Sequence, residues 1–429
     1  MRVLIATDAF PPMCGGSGWS TYELARGLRA RGHDLLIVRP RAGASRSGTP
    51  PGDRGEEYDG FRPIEFPVWA PPIPFVRNYF KNERLYGRLA SFLVDVIRTR
   101  RIEIVHAQHL LSGPASIAAA RVARVPVVCT VRDYWPVCYW SDLIYDREAD
   151  TLCPACSARR MTECVRPHGG ALWPLALPAI PYMRANLSLK RRRLAEADAV
   201  VAVSEAIARD LRTRAPELAR TRIDIIHNPV DISGVRAQAA AGPRPLAGPY
   251  AIYVGKLEPN KGVVKLLPAV ERARLDWPLI VVGDGSERSR LEAAARATAR
   301  QVRFTGWLPR AEALAWLQHA GMLVFPSHGP ESLSRVLLEA SALGVPIAAM
   351  ETGGTGEIVV HEETGLLSRS VDTLGDHVAR LNHDQALRAR LGEGARRRAE
   401  ERFDAAVVVS QTEQVYRELT AHAARREDE

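Results

Sequence analysis

Residues 1–38 read MRVLIATDAFPPMCGGSGWSTYELARGLRARGHDLLIV, and they contain the alternation that decides the fold. The apolar run that follows Met1 predicts a buried strand, and the glycine-rich stretch 14–18 predicts a loop. Residues 20–31 have the spacing of an amphipathic helix, and residues 34–38 predict a second strand. A strand, a helix and a strand in this order predict a βαβ unit, which is built on parallel strands.

The same alternation continues along the chain and predicts an α/β protein with mostly parallel sheets that are covered by helices on both faces. With 429 residues, the chain is long enough for two domains of about 200 residues each. Both domains are predicted to be doubly wound. Further strands are predicted at 102–106, 127–130, 199–203 and 223–226, and then at 251–254, 279–282, 302–305, 322–325 and 346–349.

Composition places the domain boundaries. Residues 231–248 are rich in Ala, Gly and Pro and lose the helical and strand periodicity, which is typical of an interdomain linker. We therefore expect an N-terminal Rossmann-like domain at 1–230 and a C-terminal domain at 249–405. A C-terminal helix and tail at 406–429 are expected to pack back toward the N-terminal domain.

The formal net charge of +9 at pH 7 favours anionic partners such as phosphates, nucleic acid or an acidic membrane surface. The sequence contains no basic stripe interleaved with aromatics and no zinc-finger or helix-turn-helix signature, so no nucleic-acid partner is predicted. The first apolar run reaches Asp8 too early for a signal peptide, and no uninterrupted apolar run is long enough for a transmembrane helix. We therefore expect a cytoplasmic protein.

Two glutamates in the C-terminal half have a spacing that suggests ligand binding. Glu331 follows a predicted strand, and Glu339 lies on the next predicted helix. If that helix starts near Ser334, its N-terminal amides and its dipole favour an anionic diphosphate. One carboxylate could then hold sugar hydroxyls while the other holds ribose hydroxyls.

Several segments together resemble a known family. The Glu-x7-Glu stretch 327–340, with the runs at 343–347 and 353–359, resembles the C-terminal half of the family-4 retaining glycosyltransferases of GT-B fold. Residues 254–262 are similar to the family's phosphate-binding segment, and His-Asn-Pro-Val-Asp at 227–231 matches a segment of its N-terminal half. The resemblance covers most of the chain. It implies two doubly wound Rossmann-like domains with the active site in the interdomain cleft.

The resemblance also implies roles for residues of the C-terminal domain. Lys256 and Lys261 would neutralise the donor diphosphate, Glu331 would bind hydroxyls of the donor sugar, and Glu339 would bind the ribose. Cations and helix amides aimed at the leaving group lower the barrier, so no metal or other cofactor is required for catalysis. Main-chain contacts to the sugar are expected from Ser332, Leu333 and Ser334, although Leu333-Ser334 replaces the family's frequent Phe-Gly and Lys256 its usual arginine.

In the N-terminal half, Gly15 and Gly16 would bring main-chain amides close to the donor phosphates. His109 aligns with a histidine that the family commonly places near the donor sugar, so it is expected to position that sugar. Asp133 lies in a segment similar to the family's Thr-x-His-Asp, with Arg132 in place of the histidine. Asp133 could orient the attacking hydroxyl or accept its proton, or it could be a buried structural aspartate. The implied mechanism is front-face departure and attack.

A cysteine-bearing insertion is expected at about 134–195 and is otherwise read as irregular. A structural zinc ion bound by four thiolates would stabilise this loop. Thiols without a metal, disulfides and another metal remain alternatives. The candidate ligands are Cys138, Cys153, Cys156 and Cys164.

Residues 171–193 join an apolar, proline-containing stretch to the cationic run 190–193, and the segment 71–88 has a similar character. Such a combination suits the lipid headgroup boundary, so peripheral contact with the inner face of the cell membrane through 171–193 is one expectation. A hydrophobic acceptor-side helix capped by surface arginines is the other.

These observations predict a retaining hexosyltransferase. The donor would be a UDP-, GDP- or ADP-sugar, and the acceptor a glycolipid or a polysaccharide-type saccharide. Two alternatives remain: a nucleotide-sugar epimerase on the same fold, and a non-catalytic scaffold that binds sugar nucleotides or is stabilised by zinc.

Overall fold

The computed structural model describes residues 1–12, 14–42, 56–73, 76–144, 152–298 and 300–428, with the side chains of 42, 167–172 and 426–428 left aside. The chain divides into two compact units. The first unit consists of Met1–Ser141, Pro154–Pro229 and Val408–Glu429. The second unit consists of Asp142–Cys153 and Val230–Val407.

The first unit is built on a sheet of seven parallel strands. Its central strands are buried on both faces, as their uninterrupted apolar sequences predict. The strands are β1 (Arg2–Ala6), β2 (Asp34–Ala42), β3 (Ile64–Val68), β4 (Ile104–Ala107), β5 (Val127–Val131), β6 (Ala199–Ala202) and β7 (Ile223–Ile225). They lie in the order β3-β2-β1-β4-β5-β6-β7, so the order reverses direction between β1 and β4.

Among the described residues, seven helices follow the strands of the first unit up to residue 214, together with two 3-10 segments, Gly170–Ala179 and Pro216–Leu218. The helices are α1 (Gly16–Ala30), α2 (Val76–Lys81), α3 (Glu83–Thr99), α4 (Gly113–Ala123), α5 (Ala158–Gly169), α6 (Ile180–Ala195) and α7 (Glu205–Arg214).

The second unit repeats the arrangement with six parallel strands in the order β10-β9-β8-β11-β12-β13. The strands are β8 (Ala251–Val254), β9 (Leu279–Val282), β10 (Val302–Gly306), β11 (Met322–Phe325), β12 (Ile347–Met350) and β13 (Leu366–Ser368). Its helices are α8 (Ile232–Ala241), α9 (Leu266–Arg272), α10 (Arg288–Arg296), α11 (Arg310–Gln318), α12 (Arg335–Leu343), α13 (Thr355–Ile358), α14 (Val371–His383) and α15 (Gln385–Arg402).

The last helix, α16 (Ala405–Asp428), returns from the second unit to the first. Val408, Val409, Val415 and Tyr416 are buried in the core of the first unit. The Tyr416 hydroxyl lies 2.5 Å from Nδ1 of the buried His106, whose other ring nitrogen bonds Thr130. The first unit is therefore assembled from both ends of the described chain.

The structure differs from the sequence prediction in several places. Strands β3 and β13 were not predicted. The predicted linker contains α8, because Asp231 caps it by accepting a hydrogen bond from the Gly234 N–H at 3.0 Å and alanine is a good helix former. The cysteine-bearing insertion is helical and has a core cluster of its own. That cluster includes Met161, Val165 and Met183. In the described ranges, no helix is both long and apolar enough to span a bilayer.

Candidate active site

Most of the predicted site residues follow the strands that flank the reversal of strand order in their unit, whereas Asp133 follows the next strand, β5. In doubly wound sheets, ligands bind beyond the carboxyl ends of the strands at such a switch point. In the first unit, Gly15 follows β1 and His109 follows β4. In the second unit, Lys261 follows β8 and Glu331 follows β11. Gly15, His109, Lys261 and Glu331 therefore lie where the fold of each unit favours ligand binding.

Glu331 is the centre of a polar cluster in the second unit. Its carboxylate is buried, and Oε1 accepts hydrogen bonds from Nζ of Lys261 at 2.7 Å and from Oγ of Ser327 at 2.6 Å. Ser327 also bonds the carbonyl of Asn260, which immediately precedes Lys261. The loops after β8 and β11 are thus joined through one carboxylate. The sequence analysis did not select Ser327, although it lies four residues before Glu331.

Two glycines allow these loops to close around Glu331. Gly262 has φ +62°, and a Cβ there would lie 2.0 Å from the carbonyl oxygen of Pro326. Gly353 has φ +49°, and a Cβ there would lie 2.0 Å from the carbonyl oxygen of Glu331. Any other residue at either position would be strained and would also push the loops apart. Glycine is therefore required at positions 262 and 353, next to the contact between Lys261 and Glu331.

Glu339 belongs to a buried ion cluster. Its Oε1 accepts from Arg310 at 2.6 Å and from Arg335 at 2.9 Å. Burial opposes ionisation of Glu339, but the two guanidinium groups outweigh that effect and hold its pKa below the ordinary value. No described residue donates a hydrogen bond to Oε2. Glu339 is thus an ionised carboxylate with one oxygen left to accept from a ligand.

The remaining predicted donor-binding residues of the second unit differ in exposure. Lys256 is exposed, and its ammonium group pairs with no carboxylate of the described residues. Leu333 is buried, whereas Ser332 and Ser334 are half-buried. Ser334 is the N-cap of α12, as predicted, but its side chain accepts no hydrogen bond from the helix. The first amides of α12 therefore receive no side-chain cap from that residue.

His109 is held in the first unit by the segment that follows β1. Its Nδ1 accepts a hydrogen bond from the main-chain N–H of Asp8 at 3.3 Å and lies 3.1 Å from Oγ1 of Thr7. Burial, with a contribution from Arg132, lowers the pKa of His109 to about 3, so the ring is neutral. Accepting from an N–H requires a lone pair on Nδ1, which puts the ring proton on Nε2. Nε2 is buried and has no partner among the described residues.

Asp8, which the sequence analysis did not select, fixes the loop that carries His109. Its two carboxylate oxygens accept from the main-chain N–H groups of Leu111 at 2.8 Å and Ser112 at 2.9 Å. Burial raises the pKa of Asp8 to about 6 despite these hydrogen bonds, and the charge of Asp133 adds to the increase. Asp8 therefore holds both the ring of His109, through its amide, and the loop, through its carboxylate.

Asp133 is half-buried after β5. Its Oδ1 accepts from the Trp135 N–H at 2.9 Å, and no described residue donates to Oδ2. Burial raises the pKa of Asp133 to about 6, although the ammonium group of Lys190 opposes the increase. Arg132 beside it is buried, and it donates to the side-chain carbonyls of Gln108 and Asn228. Asp133 therefore combines an accessible oxygen with a pKa close to neutral pH.

The glycine loop after β1 has two kinds of glycine. Gly15 is the N-cap of α1 and Gly16 is its first residue. A Cβ at Gly15 would meet no atom within 4 Å, whereas a Cβ at Gly18 would lie 2.6 Å from Sγ of Cys14. Close packing against Cys14 therefore accounts for the glycine at position 18, whereas the space around position 15 would admit a side chain.

The four cysteines of the insertion do not form a recognisable metal site. Cys138, Cys153 and Cys164 are buried, and Cys156 is half-buried. Among the described residues, which include all four, no group of three or more His, Cys, Asp or Glu side chains is placed to hold a metal ion. The structural zinc ion stays a prediction without a geometric basis in this structure.

The cationic run at the end of 171–193 is largely used within the first unit. Lys190 is buried, Arg191 donates to the carbonyl of Pro136, and Arg193 pairs with Glu196. The side chains of 171 and 172 lie outside the described residues. Leu175 and Arg192 are exposed, and the side chain of Arg193 is 42% exposed, so part of the predicted apolar and cationic character does reach the surface.

Comparison with known proteins gives two family matches. Residues 14–233 match the family described as Glycosyltransferase Family 4, and residues 236–398 match the family described as Glycosyl transferases group 1. Together these matches span nearly the whole chain and meet at the boundary between the two units.

Individual relatives agree with the family matches. The chain is 29% identical over 435 residues to the glycogen synthase of Mycobacterium tuberculosis, covering 97% of this chain and 94% of that protein. It is 29% identical to the GDP-mannose-dependent alpha-mannosyltransferase of Mycolicibacterium smegmatis, covering 92% of each. The sucrose-phosphate synthase structure from Thermosynechococcus elongatus matches with a TM-score of 0.70 at 21% identity, covering 98% of this chain and 100% of that chain. The predicted two-domain GT-B fold is confirmed.

Proposed function

The chain belongs to glycosyltransferase family 4 and is a glycosyltransferase, and from this premise we propose that it transfers a hexose, with retention, from a nucleotide-sugar donor to a glycolipid or polysaccharide-type acceptor. The observation that carries the proposal is the cluster in which Glu331 binds Lys261 at 2.7 Å beside the loop that leads into α12. A carboxylate for sugar hydroxyls and a cation for phosphate are adjacent there.

The second unit supplies the groups for the donor in this proposal. Lys261 and Lys256 stabilise the diphosphate as the bond to the sugar breaks and negative charge accumulates on the leaving group. The amides of α12 add to this stabilisation, because a helix N-terminus favours an anion. Oε2 of Glu339 accepts from the ribose hydroxyls while its other oxygen is held by two arginines.

The first unit supplies the groups for the sugar and the acceptor. The Nε2–H of His109 donates to a sugar hydroxyl, and the amides near Gly15 approach the phosphates. Asp133 orients the acceptor hydroxyl and accepts its proton as the new bond to the anomeric carbon forms. The leaving diphosphate departs with the electron pair of the old bond on the same face, which retains the configuration.

The names of the relatives support a saccharide product. The relatives are named a glycogen synthase and a GDP-mannose-dependent alpha-mannosyltransferase, so we propose a role in the synthesis of a polysaccharide or a glycolipid. A membrane-linked acceptor would be consistent with peripheral contact of the enzyme with the membrane. The cations of 171–193 give partial support to contact through that segment: Lys190 is buried and Arg191 donates to the Pro136 carbonyl, whereas Arg184 and Arg192 are exposed.

The test begins with a thermal-shift panel of UDP, GDP and ADP, followed by the sugar nucleotides of the base that stabilises the protein. The best donor is then incubated with short oligosaccharide acceptors, and the anomeric configuration of the product is read by NMR. Transfer with retention supports the proposal. An inverted product contradicts the mechanism, an epimerised donor supports the epimerase alternative, and binding without turnover supports a scaffold.

A further inference from the structure

One region of the first unit exposes large apolar side chains. Trp69 is 46%, Ile73 55%, Val76 43% and Tyr79 48% exposed. The short helix α2, which carries two of them, has no buried residue. Single exposed apolar residues are common, but a continuous group marks an interaction site.

These side chains form one surface. Ile73, Val76 and Tyr79 are three residues apart, and the Arg77 N–H bonds the Ile73 carbonyl at 2.9 Å, so Ile73 is hydrogen-bonded to the first turn of α2. The ring of Trp69 packs edge-on against Phe80 of the same helix, with centroids 5.2 Å apart. The apolar residues therefore project from one helix and from the strand end beside it.

Four cations accompany the apolar residues at helical spacing along α2 and α3: Arg77, Lys81, Arg84 and Arg88. Within the described ranges none of them has a carboxylate within 4 Å. The guanidinium of Arg84 lies 4.9 Å from the centroid of Phe80, so it extends over the apolar surface.

The one acid of the stretch is directed inward. The carboxylate of Glu83 accepts from Tyr182 at 2.9 Å and from Asn186 at 2.8 Å. Burial and the neighbouring Arg77 lower the pKa of Lys81, as expected for an ammonium group that has no carboxylate nearby to stabilise its charge. Arginines elsewhere in this unit, such as Arg29 and Arg62, do pair with carboxylates. The charge on α2 and α3 is thus available to an external anion.

We propose that this surface, made of Trp69, Ile73, Val76 and Tyr79 with the cations Arg77, Lys81, Arg84 and Arg88, docks the protein on a bilayer that contains anionic phospholipids. Tryptophan and tyrosine favour the headgroup boundary, because part of each ring is apolar and part is polar. The cations bind lipid phosphates at the same depth. This surface differs from segment 171–193, and the proposal does not depend on the identity of the donor or the acceptor.

The experiment is co-sedimentation of the full chain with vesicles of phosphatidylcholine alone or of phosphatidylcholine mixed with phosphatidylglycerol, an anionic phospholipid. We expect binding to the anionic vesicles that weakens with salt, because screening reduces the attraction of the cations. Trp69→Ser with Tyr79→Ser, and separately Arg77→Gln with Lys81→Gln, should each reduce binding by at least about tenfold.

Matched controls come from exposed residues that are not part of this surface. Trp307→Ser removes an exposed tryptophan of the second unit, and Arg62→Gln with Arg369→Gln removes two exposed cations that are ion-paired. Both controls should bind like the unmodified protein. Transfer to a water-soluble acceptor should be unchanged in every variant, so the outcome is separate from that of the proposed reaction.

Three results would overturn the proposal: no binding of the unmodified protein to anionic vesicles, equal binding to neutral vesicles, or unchanged binding of both surface variants. Self-association that Trp69→Ser abolishes, measured by light scattering without lipid, would instead assign the surface to a second copy of the chain. Thermal melts identify a variant that fails to fold. If the aromatic variant fails, the binding of Arg77→Gln with Lys81→Gln, which changes only cations, decides whether the proposal holds.

Discussion

At the scale of single residues, the main finding is that the two groups assigned to different parts of the donor bind each other. Lys261 and Ser327 share one oxygen of Glu331, and two glycines fix the main chain around them. A bound donor must therefore insert into, or extend, an existing hydrogen-bond network. Such a network orients the carboxylate in advance, which reduces the reorganisation that catalysis requires.

We expect Glu331→Gln and Lys261→Ala each to lower kcat/KM by at least about tenfold, because each removes one charged contact with the donor. Initial rates with the preferred sugar nucleotide measure the effect. The double variant should lose less than the product of the two single losses, since the groups form one pair. Arg369→Ala, at an exposed ion pair, is the control. Near-normal rates in both single variants would disprove the assigned roles.

The acid limb of kcat/KM should have an apparent pKa near 6, because burial raises the pKa of Asp133 to about 6. The rate should fall as pH falls through this value, since the protonated acid cannot accept the proton of the acceptor. An ordinary aspartate would place the limb about two units lower. Asp133→Asn should remove the limb and lower the rate by about a hundredfold or more.

Asp8→Asn tests whether the limb belongs to Asp133. Asp8 and Asp133 repel each other, and removing one charge makes ionisation of the other easier. The limb should therefore move to lower pH in Asp8→Asn but persist. Loss of the limb in this variant would assign it to Asp8, and an unshifted limb would mean that the two carboxylates do not interact.

At the scale of elements, the loop glycines fall into two groups. Some are required by the packing of the fold, and others would be required only by a bound ligand. Gly15→Ala should leave the melting temperature within about 1 °C, because a Cβ there meets nothing within 4 Å. It should nevertheless raise KM for the donor if the amides of α1 approach the phosphates. An unchanged KM would remove Gly15 from the donor site.

Gly262→Ala is the opposite case. Its positive φ and its 2.0 Å approach to the Pro326 carbonyl should lower the melting temperature by at least about 3 °C, which corresponds to a cost of more than about 1 kcal/mol. Donor turnover should fall as well, because Lys261 precedes this turn. Unchanged stability, measured by calorimetry, would contradict the close approach.

The helices and strands could be predicted only in part from the sequence. Strands such as Leu279–Val282 and Met322–Phe325 were predicted with their observed bounds, because short apolar runs between turn residues have one good interpretation. Helix α8 was missed, since its alanines and glycines carry little periodicity and its cap becomes visible only in the structure. Asp8 was missed because its hydrogen-bond partners lie 103 and 104 residues away in sequence. Ser327 lies only four residues before Glu331, and this short spacing is a signal that the sequence analysis did not use.

At the scale of the whole molecule, the helix α16 makes the first unit discontinuous. A variant that ends at residue 407 lacks Val408, Val409, Val415 and Tyr416 of the first core and leaves Nδ1 of the buried His106 without its partner. We expect this truncation to abolish or greatly lower the unfolding transition of the first unit while that of the second unit persists. Hydrogen exchange resolved by segment measures the two separately. Equal protection of β1 and β4 in both proteins would disprove this dependence.

The return of α16 also determines the order of events during synthesis. Domains generally fold as they leave the ribosome, with the N-terminal one first. Here the strands of the first unit are made early, but the residues that complete its core are translated only after the second unit. The nascent first unit must therefore wait, with apolar surface uncovered, while the later unit folds. Its dependence on chaperones should thus be greatest during elongation and should end when α16 is released.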